Sequence, residues 1–163
     1  MKTRTLPDTL AQLTKLKGLF ADTNKFASTP RVLPQMLALS WLGLSNNRIT
    51  HVGAMPPNFT TLWLGGNWIT IISAAAMAAM PITLGDLQLH NNRIRSLPTT
   101  LGLLTNITTL RLDGNELTEL PAEIGRLTSL IGDTSALNIQ VIFQVCIGAE
   151  GYCSNIVHRL IYV

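Results

Sequence analysis

Apolar and polar positions along the chain repeat with a period of between 20 and 25 residues. Asparagine stands at Asn24, Asn47, Asn67, Asn92 and Asn115, at intervals of 23, 20, 25 and 23. Five positions before each are Leu19, Leu42, Leu62, Leu87 and Leu110; three before are Ala21, Leu44, Leu64, Leu89 and Leu112. Eight before are Leu16, Leu39, Phe59, Leu84 and Ile107, and two after are Phe26, Ile49, Ile69, Ile94 and Leu117. The paired apolar positions at −5 and −3 alternate with period two, so both side chains point to one face of a short strand. A unit this small cannot bury its apolar edge alone, and stability requires stacking on like neighbours. The pattern therefore predicts five strands, one per unit, laid side by side around a shared core.

This spacing matches LxxLxLxxNxL and resembles the leucine-rich repeat family. The resemblance implies an α/β fold: a leucine-rich repeat solenoid, a horseshoe arc with a short-stranded parallel β-sheet on its concave face. Loops, 3-10 turns or short helices are expected on the convex face. It also implies that each asparagine amide bonds loop backbone groups and forms a ladder along the stack. Leu97-Pro98 and Leu120-Pro121, each followed by a Leu/Ile-Gly-x-Leu stretch, resemble the 23-residue unit of the Ras-group intracellular (plant and protist) repeat proteins. In that group such domains are scaffolds or regulators of signalling, and the receptor-kinase form with Gly-x-Ile-Pro is absent from the sequence.

The regular pattern covers residues 1–130. Projected back 23 residues from Asn24 it lands on Met1, so the chain is expected to begin inside a repeat, as a piece of a longer protein with further repeats or domains. Ser73–Met80, rich in alanine, predicts a convex helix stopped by Pro81. The 20-residue third unit, with Pro56-Pro57, leaves little room for one. Residues 131–163 form a degenerate C-terminal segment. Leu137, Ile139, Val141, Phe143 and Val145 alternate, and 156–163 is a second β-rich run, which leaves two readings: a β-hairpin covering the last repeat, or an irregular tail. A turn at 148–151 would set Cys146 opposite Cys153, a candidate disulfide.

Charge is sparse and uneven. Of 163 residues 13% are charged, and the net charge is +3. Residues 1–48 carry seven Lys/Arg against two acids, residues 49–163 five against seven, and 49–85 none. A balance this mild does not call for nucleic acid as a partner. Two cysteines are too few for a disulfide scaffold or a four-ligand zinc site. The N-terminus lacks the apolar stretch of a signal peptide, and no transmembrane segment is expected, which gives a cytoplasmic expectation. The alternative is an extracellular part of a longer protein, for which the sequons at Asn58 and Asn106 and an oxidised cysteine pair would be the marks.

No phosphate-binding glycine loop is present, and His51, His90 and His158 are dispersed. No catalytic, cofactor or metal residues are assigned, and the chain is not read as an enzyme. What remains is a surface. In the repeat fold, side chains flanking the strand leucines face outward on the concave sheet, here Phe20, Trp41 and Trp63 on three consecutive strands, with Trp68 at the strand-exit edge beside them. Asp86, Gln88, His90, Arg111 and Asp113 occupy the other half. Exposed aromatics beside polar and arginine contacts have the anatomy of a protein interface. The expected function is a protein-protein interaction module, in signalling or assembly, that binds on its concave sheet. The competing readings are the repeat region of a larger receptor, kinase or ubiquitin ligase, and an extracellular recognition domain.

Overall fold

A computed structural model describes residues 2–130. Five strands form one parallel sheet in chain order: β1 (Gly18–Phe20), β2 (Trp41–Gly43), β3 (Thr61–Trp63), β4 (Asp86–Gln88) and β5 (Thr109–Arg111). The middle residues Leu19, Leu42, Leu62, Leu87 and Leu110 lie in register across it. Each unit returns over the other side of the core. The returns contain 3-10 turns at Asp8–Gln12, Leu33–Gln35, Thr99–Leu103 and Ala122–Arg126, and one short helix, α1 (Ala74–Ala78). The architecture is the leucine-rich repeat solenoid expected from the sequence. The candidate hairpin over 137–163 and the Cys146–Cys153 pair lie outside the described residues.

The core is one continuous column. Leu39, Leu42, Leu44, Ile49, Phe59, Leu62, Leu64, Ile69, Leu84, Leu87, Leu89 and Ile94 are fully buried, and the first and last units pack against them less completely. The stack follows from the sequence columns, because every apolar position of the repeat supplies one rung of the same interior.

Neighbouring units are joined by the asparagines. Asn67 Nδ2 donates to Leu64 O at 2.9 Å and to Leu44 O of the preceding unit at 3.0 Å. Its Oδ1 accepts from Ile49 N at 3.0 Å. Asn47, Asn92 and Asn115 repeat this arrangement with Phe26 N, Ile69 N and Ile94 N. At the first unit Thr3 N donates to Asn24 Oδ1 at 2.9 Å, which puts Thr3 in the place of Phe26 one repeat earlier. That is the register the projection to position 1 requires.

The residue before each asparagine takes a left-handed turn. Thr23, Asn46, Gly66, Asn91 and Gly114 have φ between 53° and 68°. Glycine and asparagine tolerate this conformation, whereas the β-branched Thr23 does so only under strain. The convex helix is shorter than the alanine run. The Ser73 side chain accepts from Ala76 N and starts it, and one turn of helix suffices to bury Met77 before Met80 and Pro81 return the chain to the sheet.

Candidate functional site

The outward face of the sheet is organised in rows set by strand register. One row reads Gly18, Trp41, Thr61, Asp86, Thr109, and the next reads Phe20, Gly43, Trp63, Gln88, Arg111. Parallel backbone bonds continue one step further, from Thr23 N to Ser45 O, Asn46 N to Gly65 O and Gly66 N to His90 O. Asp22, Ser45, Gly65, His90 and Asp113 therefore extend the sheet at the strand exits.

Phe20 and Trp63 stand two strands apart, yet their ring centroids lie 6.0 Å from each other at an interplanar angle of 44°. The gap between them is Gly43. A Cβ there would stand 3.0 Å from Phe20 Cδ1 and 2.6 Å from Asp22 Oδ2. Trp41 lies in the adjoining row, and a Cβ on Gly18 would meet Phe20 Cε2 at 3.3 Å and Trp41 Cε3 at 3.7 Å. The two glycines thus make room for three aromatic side chains in one place. Phe20 is 62% exposed and Trp41 45%, while Trp63 is half-buried.

The polar half is tied together rather than free. Asp86 Oδ2 accepts from Trp63 Nε1 at 2.8 Å and from Gln88 Nε2 at 3.2 Å. Its Oδ1 is buried with no hydrogen-bond partner. Arg111 forks onto Asp113 of the same strand, Nε to Oδ1 at 3.2 Å and Nη2 to Oδ2 at 3.1 Å. Asp22 Oδ1 accepts from Ser45 N at 2.7 Å. The aromatic and polar halves join at the Trp63–Asp86 bond, which fixes the orientation of the indole before any ligand arrives.

His90 lies across Gly65, where any Cβ would overlap its imidazole. Its Nδ1 is buried and has no partner. Desolvation by burial and then the positive charge of Arg111 lower its pKa from the ordinary 6.5, with Asp113 acting in the opposite direction. Because the folded value lies below the unfolded one, the stability this imidazole contributes is present above pH 6.5 and is lost as pH falls through the folded value. An NMR titration should place the His90 midpoint below 6.5, and His90→Gln should reduce the loss of stability between pH 7 and pH 5. An unshifted midpoint would contradict the buried placement.

Trp68 occupies the exit edge, but apart from the aromatic group. Its ring lies between two guanidinium groups, Arg48 at 5.7 Å from the centroid and Arg93 at 5.8 Å. Among the described residues no ring contact joins it to Phe20, Trp41 or Trp63. Arg48 and Arg93 are functional candidates that the sequence reading did not pick out. They were legible, since Arg48, Trp68 and Arg93 each follow the repeat asparagine of three successive units. Among the described residues, no three His, Cys, Asp or Glu side chains gather as a metal-holding group, and no helix is long and apolar enough to cross a membrane.

Sheet, asparagine ladder and convex returns together define a leucine-rich repeat solenoid, and comparison with known proteins supports that fold. The Leucine Rich Repeat family model matches residues 106–127. No curated protein matches the chain. Among solved structures, the plant peptide hormone receptor RGFR1 in complex with RGF2 is similar at 27% identity and a TM-score of 0.64, over 77% of this chain and 21% of that one. YopM from Yersinia enterocolitica WA-314 is similar at 25% identity and a TM-score of 0.57, over 74% of this chain and 24% of YopM. A leucine-rich repeat protein of Leptospira interrogans aligns over 79% of this chain and 45% of its own, at 25% identity and a TM-score of 0.45. The chain thus spans less than half the length of each of these structures.

Proposed function

We propose that this chain is a protein-interaction module that holds a protein partner across its concave sheet. Phe20, Trp41 and Trp63 supply the apolar anchor, while Asp86, Gln88, His90, Arg111 and Asp113 set polar register. The observation that carries this reading is the aromatic group itself. Two rings stand about half exposed or more on a rigid sheet, seated over glycines, beside a third ring held by a carboxylate. A soluble surface gains nothing from such an arrangement unless something covers it, because exposed apolar area costs about 25 cal/mol per Å² relative to burial. Preorganisation lowers the side-chain entropy lost on binding. The solved complex of the plant receptor RGFR1 with RGF2 supports the reading by analogy of fold.

We further propose a cytoplasmic role in signalling or assembly. The Leu-Pro form of the fourth and fifth units supports it. Because the chain spans only part of the solved structures it resembles, it also fits a recognition region within a larger receptor, kinase or ubiquitin ligase. Joint replacement of Trp41 and Trp63 by alanine, with affinity for the native partner as the readout, tests the binding face. Unchanged affinity would contradict it.

A further inference from the structure

We propose a second recognition site on the strand-exit edge, where Arg48, Trp68 and Arg93 bind an acidic peptide segment of a protein partner. The site is independent of the concave anchor and shares no residue with it. Two guanidinium groups flank one indole from the units before and after it. Their contact with the ring orients the guanidinium planes and leaves their N–H donors uncommitted. Trp68 is 44% exposed, so the ring is reachable from solvent.

Charge complementarity points to the occupant. Among the described residues neither Arg48 nor Arg93 has a carboxylate within ion-pair distance, and acids of the sheet and its exits are engaged elsewhere. Glu116 pairs with Arg95, Asp113 with Arg111, Asp86 with Trp63 and Gln88, and Asp22 with Ser45 N. The unit that carries Trp68 has no charged residue at all, since 49–85 contains none. Two positive charges therefore stand on either side of an aromatic surface, in a column that continues with Lys25 at one end and with Glu116, paired to Arg95, at the other. Guanidinium forks match carboxylates in a planar, two-point manner. Their units are two strand spacings apart, roughly 10 Å, and a segment in the polyproline II conformation advances about 3.1 Å per residue with three residues per turn, so side chains three apart share one face. Acidic side chains three residues apart reach both. A nucleic acid fits less well: the net charge of the chain is only +3, and this edge offers too few basic groups to follow a long polyanion.

The test is an NMR titration of the full chain, following the Trp68 indole N–H signal, which is identified by its loss in Trp68→Phe. The probe is acetyl-Ser-Glu-Ser-Ser-Glu-Ser-amide, compared with the same peptide carrying glutamine in place of glutamate. The glutamate peptide is expected to move the Trp68 signal and the glutamine peptide to leave it in place. Arg48→Gln with Arg93→Gln should weaken the glutamate peptide about tenfold. These exposed side chains carry no core packing, and an unchanged melting temperature verifies the fold. The Trp41→Ala, Trp63→Ala protein should respond as the parent does, so failure here is distinct from failure of the concave face. The proposal is overturned if both peptides shift Trp68 equally, if the double arginine variant binds the glutamate peptide unchanged, or if a single-stranded oligonucleotide binds this edge more tightly than the peptide.

Discussion

Trp41→Ala combined with Trp63→Ala lowers affinity for the concave-face partner at least a hundredfold. Each large ring can bury about 150–250 Å², and central aromatic anchors at interfaces typically cost about 2 kcal/mol or more when truncated. The two losses are not strictly additive, since Phe20 packs on Trp63 and the rings share one surface. A combined loss of about 3 kcal/mol, a little over a hundredfold, is a conservative expectation. Folding should be nearly unaffected, because both rings lie on the sheet rather than among the buried leucines. Asp86, freed from Trp63 Nε1, becomes solvated. Leu37, an exposed loop residue, is the matching control: Leu37→Ala should leave affinity within about threefold. Calorimetry or surface-immobilised binding with the native partner checks both, with circular dichroism to confirm the fold.

Asn67→Ala is expected to remove about 3 kcal/mol of stability in urea unfolding. The substitution leaves Ile49 N–H without its side-chain partner in the middle of the stack, and it takes one of two side-chain donors from Leu44 O and from Leu64 O, which keep Asn47 Nδ2 and Asn92 Nδ2. A buried N–H left unpaired costs about 1–3 kcal/mol, and the bonds lost at the two carbonyls add about 1 kcal/mol more, of which water reaching the turn recovers only part. The effect should shrink toward the N-terminal end. Asn24 is only partly buried, and its Nδ2 bonds only Ala21 O and Asp22 O, so Asn24→Ala should cost about 1 kcal/mol. In a solenoid, stability depends on nearest-neighbour contacts. The central change should therefore also broaden the unfolding transition by weakening the coupling between the two halves. Equal losses at Asn24 and Asn67 would mean that the ladder does not couple the units.

Much of the fold was legible because the repeat writes its own register. Once Asn24, Asn47, Asn67, Asn92 and Asn115 are aligned, the strand leucines and outward-facing residues follow, and β1 to β5 are each centred on the leucine five positions before the asparagine. The helix at Ser73 was legible from alanine content, but its length was not. Helix propensity gives no account of how much convex path the unit must span, and Ala74–Ala78 is enough. The left-handed column Thr23, Asn46, Gly66, Asn91, Gly114 was visible as a recurring Asn/Gly before the asparagine, yet its role depends on backbone angles.

The candidate site was legible as positions and obscure as contacts. Sequence put Phe20, Trp41 and Trp63 on adjacent strands. It did not reveal that Gly43 would let Phe20 reach Trp63, because that depends on side chains leaning across a strand. Asp86 and Arg111 read only as polar residues on the other half of the sheet, and the structure bonds each of them to a neighbour. Trp68 read as lying beside the aromatic group, and the structure sets it between Arg48 and Arg93. Ladders that run along the stack are easy to overlook when residues are sorted unit by unit.

A partner held on the concave sheet must lie within reach of β4 and away from the convex turns. Site-specific photocrosslinking tests this placement most directly, with a benzophenone amino acid placed either at Gln88 on β4 or at Thr99 in a convex 3-10 turn. The partner should be captured from Gln88 and not from Thr99, and capture from Gln88 should disappear when Trp41 and Trp63 are both alanine. Equal capture from Thr99, or capture from Gln88 that survives loss of both tryptophans, would contradict that placement.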